Sequence, residues 1–343
     1  MRHAGAVFSM AQYAAAQPPD KNASEVLRRA AAYLMDCCAG PVDGQTDMLA
    51  IWSPPELTGS SRGCLQAKLG ASGLTLAALV RLEFVLPGTT APKVLRQLAN
   101  FLLFMQKSDG SFYSKYIPAK AGRDDQWTSL YYPGEAALGL VMLHELDGAV
   151  RWLEAAIDAL GYLARTREGS RPLPADHWAL IATARLFKQN PGSLQMASPA
   201  GIPWSEPQEG VSIRGVLLDH ATALVESILG EQIEGHERGC LNGGFDLEGR
   251  VTPTATRLEG LLAALTFLPA GMLRSRTQHA VGLGVGFLVA SQIIDGPARG
   301  GIPRYNPLCS SSHTRANEIR IDYVQHALAA LLAYRGLLPK DFP

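Results

Sequence analysis

The sequence has no apolar run long enough to cross a bilayer. Its longest apolar stretches, such as Val281–Ala290, fall well short of the roughly 20 residues a spanning helix needs. It also has no basic block. Lys and Arg number 31, Asp and Glu 31, and the formal net charge is zero, which removes the electrostatic footprint of a nucleic-acid partner. No Lys/Arg-rich amphipathic segment marks a membrane surface. Cysteine is scarce: five, an odd number at irregular spacing, do not read as a disulfide framework. Adjacent Cys37-Cys38, in an apolar helical segment, read as buried thiols, and the compartment reads as the cytoplasm. There is no P-loop. Gly282-Leu283-Gly284-Val285-Gly286 lies inside a helical pattern with no strand before it, so it is no dinucleotide site. No G-x-S-x-G elbow occurs in a strand–turn–helix setting. His236-x-x-x-Cys240 is a two-ligand fragment where zinc wants three or four ligands. Neither a metal nor another cofactor is therefore expected.

Strand-like alternation is scarce as well, and helical periodicity takes its place throughout. With 47% hydrophobic residues in a chain of 343, there is material for a large core. The periodicity predicts helices at 24–38, 68–84, 92–107, 132–146, 149–166, 175–189, 211–231, 254–268, 275–291 and 322–336. Ser24 is the expected cap of the first, Asp176 falls in the first turn of its helix, and Pro133 is at N1 if Tyr132 is the N-cap. The segments at 68–84, 132–146, 254–268 and 322–336 are rich in Ala, Gly and Leu, as helices buried on all sides are. Those between them are amphipathic. Long connections (39–67, 108–131, 232–253, 292–321) precede the Ala/Leu-rich helices and mostly short ones follow them, with 190–210 and 167–174 as exceptions. An inner and an outer ring of helices fits this alternation. The expected fold is all-α, an α/α toroid: a closed ring of five to six helical hairpins over 23–343 as one domain. Residues 1–22 read as a flexible tail, although Arg2-His3 followed by apolar residues up to Ala14-Ala15-Ala16 faintly resembles a signal peptide and leaves export open.

A degenerate repeat supports the ring. Gln106-Lys107-Ser108-Asp109-Gly110-Ser111-Phe112 follows one outer helix. Gln292-Ile293-Ile294-Asp295-Gly296 and Gly300-Gly301-Ile302-Pro303 follow another. Asn242-Gly243-Gly244-Phe245 precedes an inner one. The Q-x-x-D-G-x-F pattern resembles the repeat of the squalene cyclase and protein prenyltransferase superfamily. Gly300-Gly301-Ile302-Pro303 followed by Asp322-Tyr323 resembles the repeat of prenyltransferase β-subunits. The resemblance covers about 92–336 as scattered punctuation. It implies the toroid and transfers no reaction. The D-x-D-D acid motif of terpene cyclases is absent, since Arg123-Asp124-Asp125-Gln126 does not match it. The zinc ligands of prenyltransferases and of lanthionine cyclases have no counterpart in register. Six-hairpin glycosidases, and lyases and epimerases acting on sugars, use related rings with acids and bases at the same end, a link by fold analogy alone.

Four segments gather chemistry at the starts of the Ala/Leu-rich helices. Asp125, Trp127, Tyr131 and Tyr132 lead into Glu135, a carboxylate in a first turn where the helix dipole favours it. Aromatic faces beside an acid suit an organic ligand; the plainer reading is a helix start with a stabilising acid. Asp322 and His326 are i, i+4 and share a face, so the acid is expected to orient the imidazole for acid–base work; the plainer reading is a buried histidine satisfied by a structural Asp. Arg257 and Glu259 are two apart and do not face each other, so Glu259, inside an apolar helix, needs a basic partner on another element. His177 and Trp178 open the helix after Asp176. Arg315, Glu318 and Arg320 in the last long loop read as solvated or as an anion site.

In a ring, Glu135, His177, Glu259, Asp322 and His326 converge on one cavity mouth. The expectation is an enzyme using acid–base chemistry, of hydrolase, lyase or epimerase type, on a carbohydrate or other polyhydroxylated small molecule or oligosaccharide. Glu135 and His326 with Asp322 are the expected acid and base. Trp127, Tyr131, Tyr132, Asp125, Arg257, Trp178 and Tyr323 are the expected substrate contacts. An isoprenoid-handling enzyme, with a closed apolar chamber, and a non-catalytic binding or scaffold protein, with a filled centre, are the alternatives.

Overall fold

Ala, Gly and Leu at helical spacing produce helices almost everywhere the periodicity predicts them. The computed structural model describes residues 1–17, 20–58, 64–120, 122–189, 212–309 and 313–338; the 190–210 connection lies outside these. Among the described residues no helix is long and apolar enough to cross a membrane. The chain groups into two compact units. One comprises chiefly His3–Gly169 and Arg185–His220, the other Ser170–Ala184 and Ala221–Pro343.

The first unit opens with a correction. Residues expected as a tail form α1 (Arg2–Ala16), with Ala4 to Ser9 and Ala11 buried: small side chains bring that helix close against its surroundings. In α2 (Lys21–Tyr33) the N-cap is Asp20, whose side chain accepts from Asn22 N, in place of the expected Ser24. A π-helical turn, Leu34–Cys38, ends it. It leaves Cys37 exposed and Cys38 partly so, against the expectation of buried thiols.

The long connections that follow are not irregular. β1 (Ala39–Val42), β2 (Gln45–Ser53), β3 (Gln66–Lys68), β4 (Lys115–Ile117) and β5 (Gly122–Asp124) form one antiparallel sheet in chain order. The all-α expectation is corrected to a mostly helical fold with a small sheet. Three of the strands have three residues each, too few for a period-two signal to register. Trp52 and Ala67, then Ala67 and Tyr116, stand opposite one another. The sheet abuts the start of α3 (Leu69–Val85), where Leu69 N donates to Ser114 O at 3.0 Å and Ile51 N to Ser72 Oγ at 3.1 Å.

Helix α3 is buried nearly all round, as is α5 (Tyr132–Asp147). Between them lies the amphipathic α4 (Pro92–Met105), and after them α6 (Val150–Thr166). Helices α3 and α5 meet backbone to backbone. A Cβ on Gly73 would come within 2.7 Å of Ala136 N and Cα, and one on Gly139 within 2.6 Å of Gly73 O. Pro133 falls at N2 rather than N1, because the N-cap is Tyr131. The helix ends in Gly148 at φ 71°, whose N–H reaches His144 O at 2.8 Å, a left-handed C-cap suited to glycine. That tight end explains the two-residue link to α6.

In the second unit, α7 (His177–Leu186), α8 (Ile213–Leu229), α9 (Val251–Ala264), α10 (Met272–Ala290) and α11 (Ile321–Arg335) follow; α7 and α8 each run across a unit boundary. Asp176 is completely buried and lies just before α7 rather than in its first turn; its Oδ1 accepts from Ala179 N at 3.1 Å. This is an N-cap bond.

The repeat is a packing device. Gln106 Nε2 donates to Ala155 O on α6 at 2.8 Å, and Gly110, at φ 89°, approaches so closely that a Cβ would strike the Asp158 carbonyl. In the second unit Gln232 Nε2 donates to Ala280 O on α10 at 2.9 Å, and Gly243, at φ 82°, lies likewise against the Leu283 carbonyl. In both, the glycine touches the carbonyl three residues beyond the one the glutamine holds. In the third copy, Gln292 Nε2 donates within its own loop, to Gly300 O at 3.2 Å.

Candidate active site

Three elements of the second unit build one polar cluster in apolar surroundings. The cap at Asp176 fixes where α7 begins, so His177 is its first residue. Gly260 lets α9 approach that end: a Cβ there would stand 3.2 Å from His177 Cα and 3.0 Å from Leu180 Cδ1. Its neighbour Glu259 is thereby brought to α7 and α11 together. His326, on the second turn of α11, shares a hydrogen bond of 2.7 Å between its Nδ1 and Glu259 Oε1. The His177 and His326 rings lie 5.6 Å apart at 79°, and Trp178 flanks both, 4.9 Å from His177 and 6.3 Å from His326. His177 is 2% exposed and Glu259 7%, while the side chain of His326 is 13% exposed, so the cluster opens to solvent chiefly through His326.

Burial sets the electrostatics. Desolvation pushes the Glu259 carboxyl above its ordinary range, and the His326 ring opposes this by charge and hydrogen bond. Desolvation pushes His177 far below the ordinary imidazole range, with His326 and Arg257 adding to it. His177 is thus a neutral imidazole at pH 7. Glu259 and His326 hold a proton between them, and a hydrogen bond at Nδ1 leaves Nε2 of His326 for other work. One donor atom from each of His177, Glu259 and His326 lies within 4.8 Å of the others. Two imidazoles and a carboxylate are a known donor set for transition metals, but a cation here would have to displace the 2.7 Å bond that Glu259 and His326 make with each other.

Asp322 takes a different part from the one its spacing suggested. Arg320 grips it as a fork, Nε to Oδ1 at 2.9 Å and Nη2 to Oδ2 at 2.6 Å. Burial raises its carboxyl, and the Arg320 bonds more than offset that, leaving it below the usual range. The orienting carboxylate of His326 is Glu259, the acid expected to need a basic partner on another element. A bidentate arginine outcompetes an i, i+4 imidazole. Arg320 also covers the ring of buried Tyr323, 4.4 Å from its centroid. Arg257 Nε donates to Glu231 Oε2 at 2.6 Å.

The remaining expected residues belong to the first unit. Glu135 is 3% exposed in the first turn of α5, and α3 makes room for its carboxylate with Gly70, where any Cβ would overlap Glu135 Oε2 and Tyr132. Burial, then the charge of Glu135, pushes the Tyr132 hydroxyl far up. Trp127 is 53% exposed, its ring 5.8 Å from that of Tyr132 and covered by Lys115 Nζ at 4.6 Å. Tyr131 is half-buried, and Asp125 is held in an ion pair with Lys107.

Two features escaped the sequence reading. One is the Arg320 fork. The other is a disulfide, Cys240–Cys309, with Cα atoms 5.5 Å apart, which corrects the expectation of no disulfide and removes Cys240 from the His236-x-x-x-Cys240 fragment. A signal existed: both cysteines lie in glycine-punctuated loops that precede successive Ala/Leu-rich helices.

Three solved structures align with nearly the whole chain. A sugar epimerase from a ruminal bacterium aligns with a TM-score of 0.66 at 9% identity, over 98% of this chain and 87% of its own. The chain is mostly helical, and the structures it resembles are α/α toroids. A glycosyl hydrolase family 88 protein from Bacteroides vulgatus aligns with a TM-score of 0.60 at 14% identity, over 98% of this chain and 92% of its own. An inactive variant of an α-1,6-mannanase of Salegentibacter sp., in complex with α-1,6-mannotriose, aligns with a TM-score of 0.61 at 13% identity, over 98% of this chain and 89% of its own. These toroids are of the six-hairpin glycosidase-like kind. No family model and no curated protein matches the sequence.

Proposed function

We propose that the protein is an enzyme of epimerase or lyase type that moves a proton on a carbohydrate substrate at His177, Glu259 and His326. The observation that carries this is the buried Glu259–His326 hydrogen bond of 2.7 Å with a neutral imidazole, His177, beside it. Proton transfer at a sugar carbon needs a base on one side and an acid to return the proton. His326, oriented by Glu259, is the base through Nε2 and, once protonated there, the acid that returns the proton; His177 is the neutral imidazole beside it. Glycoside hydrolysis ordinarily uses two carboxylates, and this cluster holds one. The names of the similar structures, an epimerase and glycoside hydrolases among them, support a carbohydrate or oligosaccharide as the substrate.

Closure of the hairpins into a single ring over 23–343 belongs to the same proposal, supported by alignments that span 98% of the chain. So does a substrate role for the exposed ring of Trp127 and an acid role for Glu135. Trp178, which is buried, flanks both histidines, and a substrate role for Tyr323 belongs to the same proposal. The Cys240–Cys309 disulfide supports an oxidising compartment over the cytoplasm.

The test is solvent deuterium uptake. Neutral reducing sugars, from monosaccharides to short manno- and gluco-oligosaccharides, and uronate-containing oligosaccharides are incubated with the protein in D2O and followed by NMR. Exchange at a carbon-bound hydrogen, lost in His326→Asn, is the expected result. Absence of any exchange, elimination or epimer with the whole panel would sink the proposal.

A further inference from the structure

A second polar feature lies in the loop that leads to His326. Between residues 305 and 318 there is a cavity of about 640 Å³, lined in part by Tyr305, Asn306, His313, Arg315, Asn317 and Glu318. This is within the range of roughly 300–1,000 Å³ typical of small-ligand sites. Its walls are built. The segments on either side pair as a ribbon, Arg304 N to Glu318 O at 2.9 Å and Tyr305 N to Ala316 O at 3.3 Å. Asn306 ties the loop to the turn before α9, N to Gly249 O at 2.8 Å and Nδ2 to Cys240 O at 3.1 Å. The disulfide fixes the same two segments covalently, since Cys309 is part of the lining.

The chemistry of the lining narrows the ligand. Tyr305, buried, and His313, exposed, set their rings 5.5 Å apart at 34°, so the aromatic face on offer is chiefly that of His313. Around it are amides, a hydroxyl and one ion pair, Arg315 Nη2 to Glu318 Oε1 at 2.6 Å. That pair neutralises the guanidinium, so among the described residues the lining offers no unpaired arginine or lysine to a phosphate or a uronate. Its polar groups both donate and accept. Aromatic faces with planar hydrogen-bonding groups and little net charge suit a neutral polyhydroxylated ring. The ribbon runs directly into α11, where His326 lies five residues past Ile321, about 7.5 Å along the helix axis.

We propose that this cavity is a subsite for a neutral sugar residue of an oligosaccharide whose reacting residue sits at Glu259 and His326. The proposal rests on the carbohydrate reading above and adds to it a preference for chains over single sugars.

The experiment measures kcat/KM for deuterium uptake along ladders of α-1,6-manno- and β-1,4-gluco-oligosaccharides of one to five residues. It compares wild type, Arg315→Ala and Asn317→Trp. Both positions are exposed, and melting curves check that the variants fold. Wild type is expected to favour longer chains, and Asn317→Trp, which fills the cavity, to cut the ratio of long-chain to monosaccharide kcat/KM at least tenfold, with Arg315→Ala lowering it less. Hydrogen exchange on unaltered protein is expected to show protection of 303–309 and 313–318 with a pentasaccharide and none with a monosaccharide. An unchanged ratio, or no protection by the long chain while sugars still turn over, overturns the subsite alone. If no sugar of any length binds or turns over, the carbohydrate reading fails and the subsite fails with it.

Discussion

Glu259 and His326, 67 residues apart in sequence, share a hydrogen bond of 2.7 Å in which neither side chain is more than 13% exposed. Such a pair has two consequences that can be separated. Its charge serves catalysis, whereas its shape fills the interior. Glu259→Gln keeps the shape and an acceptor oxygen but removes the charge. The new amide can keep a hydrogen bond to His326 Nδ1 in the same place, so melting is expected to shift by only a few degrees. The rate of proton transfer is expected to fall by about 10²–10⁴. Calorimetry and deuterium uptake on the same sample check this. A variant that keeps its rate while melting early would make the pair structural.

Acid should weaken the fold through its buried histidines. Burial, with the Arg167 charge adding, pushes the His220 imidazole down to about 3, and burial pushes His177 in the same direction. In the unfolded chain a histidine titrates near 6.5. Between these values the unfolded chain binds a proton that the folded one refuses, so stability rises with pH. The penalty is absent above about 6.5 and grows on acidification by up to about 1.4 kcal/mol per pH unit for each histidine. Glu259, pushed up by burial against the pull of His326, has the opposite sign: it retains a proton on folding that the unfolded chain releases above about 4.3. Urea unfolding at about pH 5 and about pH 7.5 measures the sum, with the lower value expected in acid. His220→Leu should narrow the gap. An equal gap in that variant would mean that the neutral burial of His220 is not its source.

Helix positions were legible in the sequence because the Ala/Leu-rich segments are apolar all round and their neighbours are not. α3 and α5 start and end within a residue or two of the expected bounds. The strands were not legible, because β3, β4 and β5 are three residues long and take their order from pairing partners that local sequence does not reveal. Glu259 was legible as an acid in need of a distant base. That His326 would be that base, and that Asp322 would be lost to Arg320, was not: both depend on which elements meet, and Arg320 stands outside the helical spacing that drew attention to Asp322. The glutamine–glycine punctuation was legible as a repeat, and its meaning as a weld between helices came only with the Ala155 and Ala280 carbonyls.

The close approach of α3 and α5 makes opposite predictions for two glycines. At Gly73 a Cβ would lie 2.7 Å from the Ala136 backbone, which cannot rotate away. Gly73→Ala is expected to cost about 1–3 kcal/mol by overpacking, although alanine is the better helix former. At Gly282, in α10, a Cβ meets nothing within 4 Å. Gly282→Ala is expected to stabilise by about 0.4–1 kcal/mol through the unfolded chain. Urea midpoints compared at constant slope decide both. Two variants moving in the same direction would show that helix propensity, not the α3–α5 contact, governs position 73.

The disulfide makes the last prediction. Cys240 and Cys309 close a loop with a sequence separation of 69, and in the chain-entropy account such a loop contributes about 4 kcal/mol by restricting the unfolded state. The local bonds of Asn306 to Gly249 and Cys240 do not need the bridge, so the folded loop should keep its shape when the bridge is cut. The loss should therefore appear in unfolding free energy more than in the spectra of the native state. Wild type in dithiothreitol and Cys309→Ser without it should unfold at the same, lower urea concentration, while Cys37→Ser, altering an exposed free thiol, should leave the midpoint alone. Thiol titration of the urea-unfolded, unreduced protein should find Cys37, Cys38 and Cys64 free and two further thiols after reduction. All five reacting without reductant would remove the bridge, and with it the covalent wall of the cavity between residues 305 and 318.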